Sequence, residues 1–187
     1  MTTGIDAIKK ACQKVGDERL DDAKKIITQD YPFKPLVKAE RNYTESEKTK
    51  VFRDDGFNRY SGEKLVYPPV LRILSYLMPK EFPFQKNWKM SECHIAYWEL
   101  VPTIDHKNPV SRGGKDEYEN WVCTSQLRNN IKSNWTLEEL GWKLYDPGNI
   151  EDWDGMMGWF MDYISKNKHV LKNDAYIAKW HKVANKF

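Results

Sequence analysis

Between Pro102 and Asn134 the chain places residues with acid–base and metal-binding chemistry at short, ordered intervals. They are the adjacent Asp105 and His106, the Gly113-Gly114 pair, Asn120, and then Arg128, Asn129, Asn130 and Lys132. A carboxylate and an amide oxygen, with water completing the shell, suit a hard divalent cation. An imidazole beside them titrates near neutral pH and can take a proton from water. Successive strand side chains point to opposite faces. If Asp105 and His106 lie on a regular strand, one can face a metal and the other a water only where the strand frays. Asn129 and Lys132 lie across the hairpin, on a segment that reads as helix, and Arg128 and Lys132 are four residues apart on one face of it.

Taken in order, the segment resembles the motif of the HNH nucleases, the ββα-metal family. Its elements here are Asp105-His106, Pro109, Gly113-Gly114, Asn120, Asn129 and Lys132, with fourteen residues from His106 to Asn120 and nine from Asn120 to Asn129. The likeness covers about residues 95–134, and "DGFNRYSGEKL" (Asp55 to Leu65) more weakly resembles the hairpin that precedes the motif. The resemblance implies an α+β fold with a ββα core over residues 51–147; residues 1–50 gain nothing from it, and they and an extension over 148–187 read as helical from their own apolar spacing. The resemblance also implies hydrolysis of phosphodiester bonds in double-stranded DNA. His106 would activate water, and Asp105 and Asn129 would hold a divalent metal that stabilises charge on the phosphate and the leaving 3′ oxygen. Asn120 would brace the loop that orients His106, and Arg112, Arg128 and Lys132 would contact phosphate. One site per chain cuts a duplex by acting twice or by pairing with a second copy, so a homodimer is a further expectation. A restriction or phage-related role would fit.

Two departures refine this. Many HNH proteins carry two CxxC pairs around a structural zinc. The corresponding positions here are Asn58, Ser61, Ser125 and Arg128, so no structural zinc is expected. The third motif residue is Asn rather than His, and an oxygen donor favours Mg²⁺ or Mn²⁺. The alternative to catalysis is a nucleic-acid-binding module that keeps the ββα shape. Each feature alone has a bland reading: an Asp-His pair as a surface turn, Gly-Gly as a loop, Asn129-Asn130 as a fraying helix. Cys93, His94 and Cys123 lack a fourth ligand at a fitting distance, Glu99 reads as a surface strand residue, and His181 reads as structural.

The elements that position these residues follow from pattern. Apolar residues recur at helical spacing in "IDAIKKACQKV" and "DERLDDAKKIITQDY". Thr44 with Glu47, and Thr136 with Glu139, form capping-box patterns, closed by Gly56 and Gly141. Pro68-Pro69 opens a short apolar helix. "CHIAYWELVPTIDH" and "NWVCT" read as strands, with Thr124 or Ser125 capping a helix over "QLRNNIKS". Two amphipathic helices are expected in the tail.

The 187 residues include three scattered cysteines, which argues against a disulfide framework. No apolar run approaches the roughly 18 residues of a membrane span, and an apolar signal core is lacking, so the reading is soluble, cytoplasmic and without a membrane partner. The net charge of +3 hides an asymmetry: 17 Lys/Arg against 13 Asp/Glu before residue 88, and 13 against 14 from there on. That bias permits a polyanionic partner without requiring one. All eight tryptophans lie from Trp88 onward.

Overall fold

The computed structural model describes residues 3–33, 35 and 43–187. The chain forms two compact units, Met1–Val37 and Lys38–Phe187. The first contains two helices, α1 (Gly4–Gly16) and α2 (Leu20–Asp30). Thr3 starts α1 with a complete capping box, and the two helices bury Ala7, Ala11 and Ala23.

The second unit begins its described part with α3 (Glu45–Asp55), opened by the Thr44–Glu47 box and closed by Gly56 in the left-handed conformation. α3 spans residue 50, where the sequence suggested a boundary. α4 (Pro68–Leu77) carries Pro at its first turn, where a missing N–H costs nothing. The single-turn α5 (Ala96–Glu99) precedes β1 (Pro102–His106); β2 (Trp121–Ser125) leads directly into α6 (Gln126–Lys132). α7 (Leu137–Leu140), α8 (Met157–Lys166), α9 (Val170–Asn173) and α10 (Ala175–Ala184) follow. The architecture is α+β: many helices and, among the described residues, one two-stranded antiparallel sheet. Its register sets Asp105 opposite Val122 and His106 opposite Trp121.

One expectation fails locally. The strand expected over "CHIAYWELVPTIDH" exists only from Pro102; Ala96–Glu99 forms a helical turn instead. The His94 ring explains the start of that turn, since its Nδ1 accepts the Ala96 N–H at 3.2 Å while the ring stacks on Phe82 at 4.1 Å. The turn buries Tyr97 and Trp98 together, which strand alternation would have separated. Glu99 therefore lies at a helix end, not on the strand of Asp105.

The core of this unit joins Phe52, Leu65, Tyr67, Ile73, Tyr97, Ile104, Cys123, Phe160, Ile164 and Ile177, so the C-terminal helices share it with α3 and α4. No helix among the described residues is long and apolar enough to cross a membrane.

Candidate active site

β1 and β2 are short, and what fixes them is the polar segment before them. The Asp55 Oδ2 accepts the Cys123 N–H at 2.5 Å, and Arg59 N donates to the Cys123 carbonyl at 2.9 Å. The outer edge of β2 is thereby closed, the usual remedy for an unpaired strand edge. Burial pushes the Asp55 carboxyl upward, against the hydrogen bonds from Cys123 and Arg59.

Asn58 is fully buried beside it. Its Oδ1 accepts the Tyr60 N–H at 3.1 Å and the Thr124 hydroxyl at 2.9 Å, and its Nδ2 donates to Ser125 Oγ at 3.3 Å. Ser125 in turn caps α6 through the Arg128 N–H. Two of the four positions where thiols are missing, Asn58 and Ser125, thus meet in a hydrogen-bonded knot. At these two positions buried polar groups tie the segment 57–64 to β2 and α6.

Asp105 is buried at the end of β1. Its Oδ2 accepts the Tyr60 hydroxyl at 2.7 Å and lies 2.9 Å from the Lys132 ammonium. Burial first, and the Asp105 charge second, push the Tyr60 phenol far above its ordinary value, so it stays a donor. The same Lys132 Nζ donates to the His106 carbonyl at 2.7 Å. Lys132 is thus a fully buried cation, not a surface contact. The sequence placed it with Arg128 as a phosphate ligand; α6 instead turns it inward, because Asp105 and the His106 carbonyl supply the partners a buried ammonium requires. Asn129 Nδ2 donates to the Ile104 carbonyl at 3.2 Å, which holds its amide against β1 beside Asp105.

His106 faces a different set of partners. Its Nε2 lies 2.7 Å from Asp116 Oδ1 and 3.3 Å from the Tyr43 hydroxyl. Asp116 Oδ1 also accepts from Tyr43 at 3.0 Å and from Trp121 Nε1 at 2.8 Å. Partial burial raises the Asp116 carboxyl, but the bonds from His106, Trp121 and Tyr43 outweigh it and hold it below the ordinary carboxylate value. An ionised carboxylate only accepts, so Nε2 donates to Asp116.

The loop between the strands is braced by Asn120. Its Oδ1 accepts the Asn108 N–H at 2.9 Å, and its Nδ2 donates to the Asn108 and Lys115 carbonyls at 2.9 and 2.8 Å. Gly114 closes the same loop, donating to the Pro109 carbonyl at 3.1 Å; any Cβ there would strike the Asn108 carbonyl oxygen. These bonds fix where Asp116 and His106 meet.

Arg112 and Arg128 lie apart from both clusters. Arg112 Nη1 clasps both Glu139 oxygens at 2.6 and 2.7 Å and stands over the Trp135 ring. That guanidinium bond, first among its causes, holds the Glu139 carboxyl down to about 2. Arg128 stands 5.5 Å over Trp142. The sheet and α6 therefore bring Asp105, Asn129 and Lys132 together. They hold His106 beside Asp116 instead, with Asn120 as the brace between the strands.

No group of three or more His, Cys, Asp or Glu among the described residues could cage a metal. The oxygens that could serve one are Asp105 Oδ1 and Asn129 Oδ1. Neither accepts a hydrogen bond among the described residues. A carboxylate and an amide oxygen, with water completing the shell, are donors that suit a hard divalent cation. The Lys132 ammonium on the same carboxylate opposes that charge.

Asp116, Tyr43 and Tyr60 were not legible as site residues. Asp116 left a signal, an acid inside the loop that the Asp-His strand end and Asn120 enclose. The two tyrosines left none. Comparisons with protein families, with curated proteins and with solved structures returned no match.

Proposed function

We propose that this chain is a metal-dependent endonuclease of the HNH type that hydrolyses phosphodiester bonds in double-stranded DNA. The observation that supports it most is the joint placement of Asp105, His106, Asn120 and Asn129 on one strand–loop–strand–helix unit, with an acidic partner on His106 Nε2. In this reading His106 takes the proton of a water whose oxygen bonds to phosphorus, and the bond from phosphorus to the 3′ oxygen breaks. Asp105 and Asn129 would hold the divalent ion, which supplies charge stabilisation at the phosphate. Asp116 positions His106, and Lys132 balances the Asp105 carboxylate. Arg128 offers a cation toward the DNA backbone.

The test is nicking of supercoiled plasmid with Mg²⁺ or Mn²⁺. The wild type is expected to nick and His106→Ala to lose that activity; nicking by both at one rate would sink the proposal.

One observation favours a second reading. Asp105 is already neutralised by a buried lysine, which suits a non-catalytic nucleic-acid-binding module that keeps the ββα shape. That module would bind DNA in a salt-dependent way, with His106→Ala binding as the wild type does and neither protein cleaving.

A further inference from the structure

The turn at residues 58–64, the first half of α6 and the segment after α7 enclose a cleft of about 380 Å³. Its walls are the rings of Tyr60, Trp142 and Tyr145 and the cations Arg128 and Lys143, with Glu63 at the rim. Each cation lies over a ring: Arg128 5.5 Å from the Trp142 centroid, Lys143 5.0 Å from that of Tyr145.

The walls are held by backbone rather than by chance contact. Tyr145 N donates to the Arg59 carbonyl at 2.8 Å, and Arg59 Nε donates back to the Tyr145 carbonyl at 2.6 Å. Gly62, at φ 74°, presents a bare α-carbon to the Tyr145 ring. A second hollow of about 470 Å³ shares Arg128 and Glu63 and continues along α6 past Leu127 and Ile131. The cleft adjoins the Asp105–Lys132 pair through one side chain, since Tyr60 forms a wall with its ring while its hydroxyl sits on Asp105.

Two cations against one carboxylate favour an anion. Flat rings favour a planar partner, and every nucleobase has a π-face that stacks on them. A cleft of this size excludes a duplex, in which both faces of each base are already stacked.

We infer that this cleft takes an unpaired nucleotide of the substrate strand, resting on the nuclease reading above. The base lies against Trp142 and Tyr145. The phosphate draws Arg128 and Lys143 off the ring faces that the base then covers. Glu63 accepts from an exocyclic amine at the rim.

Fluorescence anisotropy of a labelled single-stranded oligonucleotide, about ten nucleotides long to suit such sites, tests this with the full chain in EDTA. The matching duplex is titrated in parallel. Both are expected to bind, and only the single strand through the cleft. Tyr145→Ser, at an exposed position, is expected to weaken single-strand binding about tenfold and leave duplex binding nearly unchanged. Lys143→Glu is expected to weaken single-strand binding and lower its salt slope by about one. Trp142→Phe is expected to keep binding, because it keeps a ring. Single-strand affinity unchanged in Tyr145→Ser overturns the inference. So does equal loss for single strand and duplex, or an effect of Lys143→Glu with none of Tyr145→Ser, which would mean phosphate contact alone. Failure of the nuclease reading is seen separately, as intact plasmid in the presence of Mn²⁺ whatever the oligonucleotide results.

Discussion

Oδ1 of Asp116 receives hydrogen bonds from an imidazole, an indole and a phenol, and the imidazole belongs to the residue proposed to activate water. A partner of this kind sets which nitrogen of a histidine is basic. Asp116→Asn keeps the shape and loses the obligate acceptor. Its plasmid nicking rate is expected to fall about 10- to 100-fold, in the range typical of groups that orient a reacting side chain. DNA affinity, measured by anisotropy, should stay near the wild-type value. Lys132 makes a different demand. Removing one member of a buried ion pair leaves the other charge unpaired, at a cost of about 3–5 kcal/mol. Lys132→Met should lose stability on that scale in urea unfolding, whereas Lys132→Met combined with Asp105→Leu should recover most of it, because an apolar pair of similar volume needs no partner.

At the scale of elements, the hairpin at 57–64 is tied to β2 and α6 through Asn58. Asn58→Ala strands the Thr124 hydroxyl and the Tyr60 N–H in a dry environment, with an expected loss of about 2 kcal/mol by chemical denaturation. Loss well under half of that would mean water enters and takes over the bonds. The helices were legible where chemistry is local: Thr44–Glu47, Thr136–Glu139 and the glycines that end those helices act within one turn of their own sequence. The Cys93–Leu100 segment was not legible. Its aromatic run suits a strand by propensity, and the cap that turns it comes from a His94 ring seated on Phe82, a tertiary contact. The same limit applies within the site. The spacing of Asn120 foretold its place between the strands, while the inward turn of Lys132 depends on where β1 leaves a carboxylate and a carbonyl.

At the scale of the molecule, the two units differ in what they bury. The second has an aromatic and aliphatic core. Among its described residues the first buries three alanines while Ile5, Ile8, Val15 and Leu20 remain exposed. Alanine burial offsets little of the entropy of ordering two helices. Hydrogen exchange should therefore find the amides of α1 and α2 opening at lower free energy than those of β1, β2 and α6. Equal protection in both units would show that the helix pair draws stability from a partner surface. The basic bias of the first 87 residues permits a polyanionic partner, and under the proposed function DNA affinity should fall steeply as salt rises.

The buried Lys132 has a consequence for how the protein reacts with reagents in solution. Among the described residues it is the only lysine in the interior, and both of its partners lie in the candidate site. Its amine should be silent toward acylating labels while exposed lysines such as Lys24 and Lys115 react. If a cation or a substrate strand loosens its hold on Asp105, that silence ends. Labelling of this one amine, read by mass spectrometry, would then report the opening of the site without any turnover being measured.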